Sequence, residues 1–142
     1  MIRIMLAGAP LSKQRVRFTQ QGARPFTPAK TVNYEGRLAH AAQRVMERAN
    51  RPLILGPLRV GIEIRMAIPS SRPQRWRENA RLGVNLPTKK PDADNVAKLL
   101  DALNLIVWGD DAQIIELHVV KYYHDTPALI VTVEELFTGV FE

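Results

Sequence analysis

The stretch LRVGIEIRMAI, residues 58–68, alternates with a period of two. Leu58, Val60, Ile62, Ile64, Met66 and Ile68 hold one phase; Arg59, Gly61, Glu63, Arg65 and Ala67 hold the other. Successive side chains of a strand point to opposite faces, so this pattern predicts a strand with one apolar and one polar face. The apolar face needs a covering layer, and both flanks offer one. Upstream, Tyr34, Leu38, Ala42, Val45 and Ala49 recur at helical spacing across 31–49, with Arg37, Arg44, Glu47 and Arg48 largely off that stripe. Downstream, a second helix is predicted from Asp92–Asp94 to 106–108, with Val96, Leu99, Leu100, Leu103 and Val107 as its stripe. Ile2, Ile4 and Leu6 alternate in a first strand. QIIELHVVKYY (113–123), rich in β-branched and aromatic residues, reads as another. The short HDTP turn makes ALIVTVEEL (128–136) its expected antiparallel partner. The order βαβαββ predicts an α+β fold: one domain over 1–142, a mixed sheet with two helices packed on it.

A chain of 142 residues with 46% apolar content can bury one core without staples. Cysteine is absent, which excludes a disulfide scaffold and a thiolate zinc site and fits a reducing compartment. The N-terminal apolar run is short and lacks a cleavage site. No segment approaches the roughly 18 apolar residues of a membrane span. The expectation is a soluble, cytoplasmic protein with no membrane partner.

The net charge of +6 conceals a division. Residues 1–90 hold eighteen Lys and Arg against four Glu, whereas 91–142 hold two Lys against ten acids. The first part suits a polyanion; the second opens on a cluster that would repel one unless a cation intervenes. Two long segments rich in Pro, Gly and polar residues, 9–31 and 69–90, read as basic loops. Lys13, Arg15 and Arg17 in the first, and Arg75, Arg77, Lys89 and Lys90 in the second, are the candidate nucleic-acid contacts. Phe18, Phe26 and Trp76 are interleaved with them, either to stack on unpaired bases or to anchor the core or an interface.

The acids begin in KKPDADNVAKLLDALN (89–104). Asp94, Lys98 and Asp101 stand at i, i+4 and i+7, opposite the leucine stripe. Asp92 precedes the helix after Pro91, and Asp110-Asp111 occupies the turn into the next strand. Crowded carboxylates repel one another unless a cation joins them. Oxygen ligands without histidine or thiolate suit Mg²⁺ or Mn²⁺, which can polarise a phosphodiester and activate water. Lys98 among them is suited to offsetting charge on the phosphate or assisting the leaving group. The plainer reading gives each acid a purely local role. Asp92 or Asp94 would be an N-cap, Asp94–Lys98 a surface ion pair, Asp101 a solvated face and Asp110-Asp111 turn chemistry. Spacing leaves both open. His40, His118 and His124 enter neither.

The string KPDADNVAKLLDALN…DDAQI, from Lys90 to Ile114, closely resembles the signature of the RusA family of Holliday junction resolvases. That signature runs P-D-x-D-N-x-x-K, then D-A-L, then D-D-x-Q. Here it reads Pro91-Asp92-Ala93-Asp94-Asn95-Val96-Ala97-Lys98, Asp101-Ala102-Leu103 and Asp110-Asp111-Ala112-Gln113. The opening GAPLSKQRVRF…PFTPAKTVNYEG is similar more loosely. The resemblance implies that Asp92, Asp94 and Asp111 are catalytic metal-binding aspartates and Lys98 a catalytic lysine. Asn95, Asp101, Asp110 and Gln113 match motif positions without an assigned role. It further implies a homodimer that cuts branched DNA, nicking four-way junctions symmetrically with Mg²⁺, for which Mn²⁺ may substitute. One departure bears on the helix's end and the approach to Gly109: many members have glycine after D-A-L-N, where this chain has Leu105. Two readings compete with a junction endonuclease: a junction- or DNA-binding protein that does not cleave, and a metal-dependent nuclease acting on flaps or RNA.

Overall fold

The structure, a computed structural model, describes residues 1–13 and 29–136. The opening stretch forms β2, Leu58–Ala67, with Leu58, Val60, Ile62 and Ile64 buried and the alternate residues partly exposed. It lies inside a four-stranded mixed sheet completed by β1 (Ile2–Ala7), β3 (Ile114–His124) and β4 (Ala128–Glu135). The order across the sheet is β1-β4-β2-β3. β4 runs antiparallel to both neighbours, pairing Ile4 with Val131 and Ile62 with Val131, while β2 and β3 run parallel.

The expected β3–β4 hairpin does not form. The turn after His124 carries the chain across the end of β2, and β4 enters between β1 and β2. Burial explains the choice. Ala128, Leu129, Ile130, Val131 and Val133 are all buried, as in an inner strand apolar on both faces. In β3, Ile115, Leu117 and Val120 stay exposed, which only an edge strand tolerates. The shortness of the turn was a misleading guide to partnership.

Among the described residues three α-helices, not two, accompany the sheet. α1 (Ala29–Arg48) buries Thr31, Tyr34, Leu38, Ala42 and Met46 against β1 and the 98–103 segment. Met46 closes the stripe where Ala49 was expected; Ala49 is exposed beyond the helix end. α2 (Gln74–Arg81) arises within the second supposed loop, directly after Pro73. It has no apolar stripe to betray it. It is held by Ala80, which is buried, and by Trp76, whose ring meets Tyr123 edge-on at 5.5 Å. Asn85 also donates to the carbonyl of Trp76 at 3.0 Å.

The predicted second long helix is shorter and broken. α3 covers only Ala93–Ala97 and passes into a 3₁₀ helix, Lys98–Leu103. Its expected apolar positions, Val96, Leu99, Leu100, Leu103 and Val107, are nevertheless all buried. The chain then turns sharply. Asn104 is extended and accepts from the indole N–H of the fully buried Trp108 at 2.7 Å. Leu105 takes a left-handed conformation, φ 66°, with its side chain 76% exposed. This is the position where glycine was expected, and the backbone adopts the geometry that glycine accepts without a Cβ penalty. A second 3₁₀ turn, Asp111–Gln113, leads into β3. No helix among the described residues is long and apolar enough to cross a membrane.

Candidate functional site

The acids fall into two groups joined by one lysine. The first is at the start of α3. Asp92 occupies the N-cap position, yet its side chain makes no capping bond. Its carboxylate instead accepts from Asn95 Nδ2 at 3.3 Å, and Asn95 Oδ1 accepts from Lys98 Nζ at 3.2 Å. The motif residues Asp92, Asn95 and Lys98 thus form a chain on the exposed side of the helix. Asp94 projects to solvent without a hydrogen-bond or ionic partner among the described residues. The ion pair with Lys98 that the i, i+4 spacing suggested is absent there, because Lys98 reaches Asn95.

The second group surrounds Asp111. Its carboxyl is pushed up to about 6, first by a hydrogen bond shared with Asp101, then by Asp110, with partial burial adding to both. Asp110 is held below the ordinary carboxylate range by the backbone N–H of Ala112, which donates to it at 3.2 Å. Gln113 fixes this turn. Its Oε1 accepts from the Asp110 N–H at 2.8 Å, and its Nε2 donates to the carbonyls of Ile54 and Gly56 at 3.0 and 2.9 Å. The acidic turn is thereby tied to the chain entering β2.

Lys13 links the groups. Its backbone N–H donates to the Asn95 carbonyl at 3.0 Å, and its ammonium lies 3.3 Å from Asp101 and 3.5 Å from Glu35. Of the other expected nucleic-acid contacts, Arg75, Lys89 and Lys90 are exposed, while Arg77 is partly buried on α2. Arg15 and Arg17, like Phe18 and Phe26, lie outside the described residues. Trp76 packs on Tyr123, with Arg72 stacked 4.8 Å from its ring centre.

Two positioning residues escape a reading of the sequence alone. Gln113 is there a motif position with no assigned role, and Lys121 belongs to no motif. Lys121 pairs in register with the core-facing Ile64, and its ammonium donates to the carbonyls of Lys89 and Pro91 at 2.7 and 3.1 Å. That holds the segment immediately before Asp92 against the sheet. The available signal was phase: Lys121 follows Leu117 and Val119 on the inward face of the strand, where a charge must find partners.

Donor chemistry here fits a hard divalent cation. The acids offer only oxygen, Asp92 and Asp94 leave oxygens unused by the fold, and Asp111 has a proton affinity raised by like charges around it. As the side chains stand, no three Asp, Glu, His or Cys among the described residues are grouped so as to hold a metal ion.

Comparison with known proteins gives the arrangement its context. The chain is 30% identical over 142 residues to an uncharacterized protein, YqaN, of Bacillus subtilis (strain 168), spanning 95% of this chain and 96% of that one. A family model, Endodeoxyribonuclease RusA, matches residues 7–134, from the end of β1 through nearly all of β4. Both acidic groups and the lysine between them fall inside that match, and this chain belongs to the RusA endodeoxyribonuclease family.

Proposed function

We propose that the protein is a Mg²⁺-dependent, structure-selective DNA endonuclease that resolves four-way junctions by paired symmetric nicks, acting as a homodimer. The observation that carries this reading is the crowding of Asp101 and Asp110 on Asp111 within the family match, beside an α3 start whose carboxylates perform no capping. Like charges kept together at a cost in stability point to a cation or a reaction that uses them.

On this reading Asp92, Asp94 and Asp111 would hold the ion, which would supply Lewis-acid polarisation of the phosphodiester and activation of water. Holding one ion between them requires the two acidic groups to draw together. Asn95 orients Asp92 through its amide and steadies Lys98 through its carbonyl oxygen. Lys98 places its ammonium beside the phosphate, where it offsets charge in the transition state. Gln113 and Lys121 keep the two acidic segments anchored to the sheet. A homodimer supplies two related sites for two related cuts.

The test is gel cleavage of a labelled four-way junction with and without Mg²⁺, mapping both nicks. Asp94→Asn should retain junction binding and lose cleavage by on the order of 10³-fold or more. Near-normal cutting by that variant in Mg²⁺ would remove the proposed role. A second reading, a junction-binding protein that does not cleave, is favoured by the fact that no three acids among the described residues are placed so as to hold a metal ion. It predicts binding unaffected by EDTA and no nicks in any divalent metal. Flap and RNA substrates run alongside decide the substrate, since faster cutting of either would keep the chemistry and change the target.

A further inference from the structure

Among the described residues, the candidate DNA contacts named above lie in loops or on α2. A separate row runs along α1, where Lys30, Arg37 and Arg44 recur every seven residues and Arg48 follows after four more. At 3.6 residues per turn these positions share one edge of the helix. It is the edge beside β1: Arg37 donates to the Ala7 carbonyl at 3.3 Å and lies 5.8 Å from the Tyr34 ring centre. Glu35 points from the other edge, toward Lys13.

The row also lacks counter-charge, a property it shares among the described residues with Arg3, Arg72, Arg75 and Arg77. Other arginines meet acids: Arg51 meets Glu135, Arg59 meets Glu116 and Glu134, Arg65 meets Glu63, and Arg81 meets Asp125. Lys30, Arg44 and Arg48 form no ion pair among the described residues. A merely solvated helix face mixes signs; the exposed side of α1 offers only Glu47 against these cations. Beside the row lies an open groove of about 610 Å³, lined among others by Leu6, Val32, Gly36, Arg37, His40 and Arg44. Gly36 has nothing within 4 Å of where a Cβ would stand, so the ridge is uncovered. From Lys30 to Arg48 the row is about 27 Å long, close to eight base pairs of one DNA strand.

We propose that this row is a second phosphate-binding surface, taking the backbone of a double-stranded DNA arm on the flank of α1 beside β1. The proposal rests on the nucleic-acid reading above but not on cleavage. Charge complementarity selects the partner, since evenly spaced and unpaired cations match an evenly charged rod.

The experiment is fluorescence anisotropy of a labelled four-way junction in EDTA across a KCl series. Arg44→Gln/Arg48→Gln should bind several-fold more weakly, with the slope of log K against log salt shallower by about 1.8. The control, Arg51→Gln/Arg59→Gln, removes equal charge from paired sites and should keep the wild-type slope; thermal melts establish that both variants are folded. Equal losses in both variants would mean a general net-charge effect and overturn the proposal, as would no loss in either. Nicking in Mg²⁺ is measured separately. A wild-type protein that binds without cutting would defeat the endonuclease reading and leave this comparison intact.

Discussion

The outer face of the sheet and the acidic site solve opposite problems with the same residue types. On the sheet, Arg59 is clasped by Glu116 and Glu134, which keep its guanidinium firmly protonated, and Tyr122 donates to Glu63 at 2.7 Å while accepting from Arg65 at 2.8 Å. Charges there meet counter-charges across the strands. At the site, three aspartates lean on one another, Asp94 has no partner among the described residues, and the lysines reach amides and carbonyls as readily as acids. Charges satisfied within the fold are spent on the fold. Those left unsatisfied are available to something else, and the contrast marks the function better than charge density does.

The contrast is broken most severely at its centre. Asp111→Asn should lose junction cleavage by on the order of 10³-fold or more. The same change should raise the melting temperature of the metal-free protein at neutral pH, because it removes a repelled carboxylate. The sign follows from the proton count. Asp111 lies near 6 when folded against an ordinary 3.8, so between those values the folded chain holds a proton that the unfolded chain has released. Wild-type stability contributed by this group therefore rises as pH falls from about 6 toward 4, and the asparagine variant lacks that component. Thermal melts across this range measure it; a variant less stable than wild type at neutral pH would contradict the crowding argument.

Gln113→Leu should have the next largest effect. It orphans the Asp110 N–H and the Gly56 carbonyl and leaves the Ile54 carbonyl only its bond from the Gly109 N–H, a loss of about 2 kcal/mol by urea denaturation. Cleavage should fall further than the unfolded fraction explains, since the acidic turn loses its anchor to β2. The smallest effect belongs to the sheet. Glu134→Gln leaves Arg59 its bond to Glu116 and should change neither the denaturation midpoint nor cleavage measurably. A large loss of cutting there would erase the distinction between the two faces.

Much of this arrangement is legible in the sequence. The period of β2 and the helical spacing in α1 are local patterns, and each leads to an element of the right kind in the right place; the leucines after Asp94 are buried as expected, but in a 3₁₀ helix rather than an α-helix. The misreadings share a cause, which is tertiary competition. Whether α3 continued past Ala97 depended on Trp108 and Asn104 closing the turn around Leu105. Whether β4 paired with β3 depended on which strand could bury two faces. α2 is held largely by contacts with a strand nearly fifty residues away, Trp76 on Tyr123 first among them, which no window of its own sequence contains. At the site, the motif supplies the acids and Lys98. The roles of Gln113, Lys121 and Lys13 depend on which carbonyls and carboxylates the fold carries to them.

The place of β4 has a consequence for how the molecule is made. It is the last of the described strands to be synthesised, yet it is the only one that touches both β1 and β2. Until it has left the ribosome, the nascent chain has no strand to join β1 to the rest of the sheet. A polypeptide stopped at Pro127 would carry every acidic residue of the site and still fail to close its sheet, so the sheet is completed only after the whole site has been synthesised.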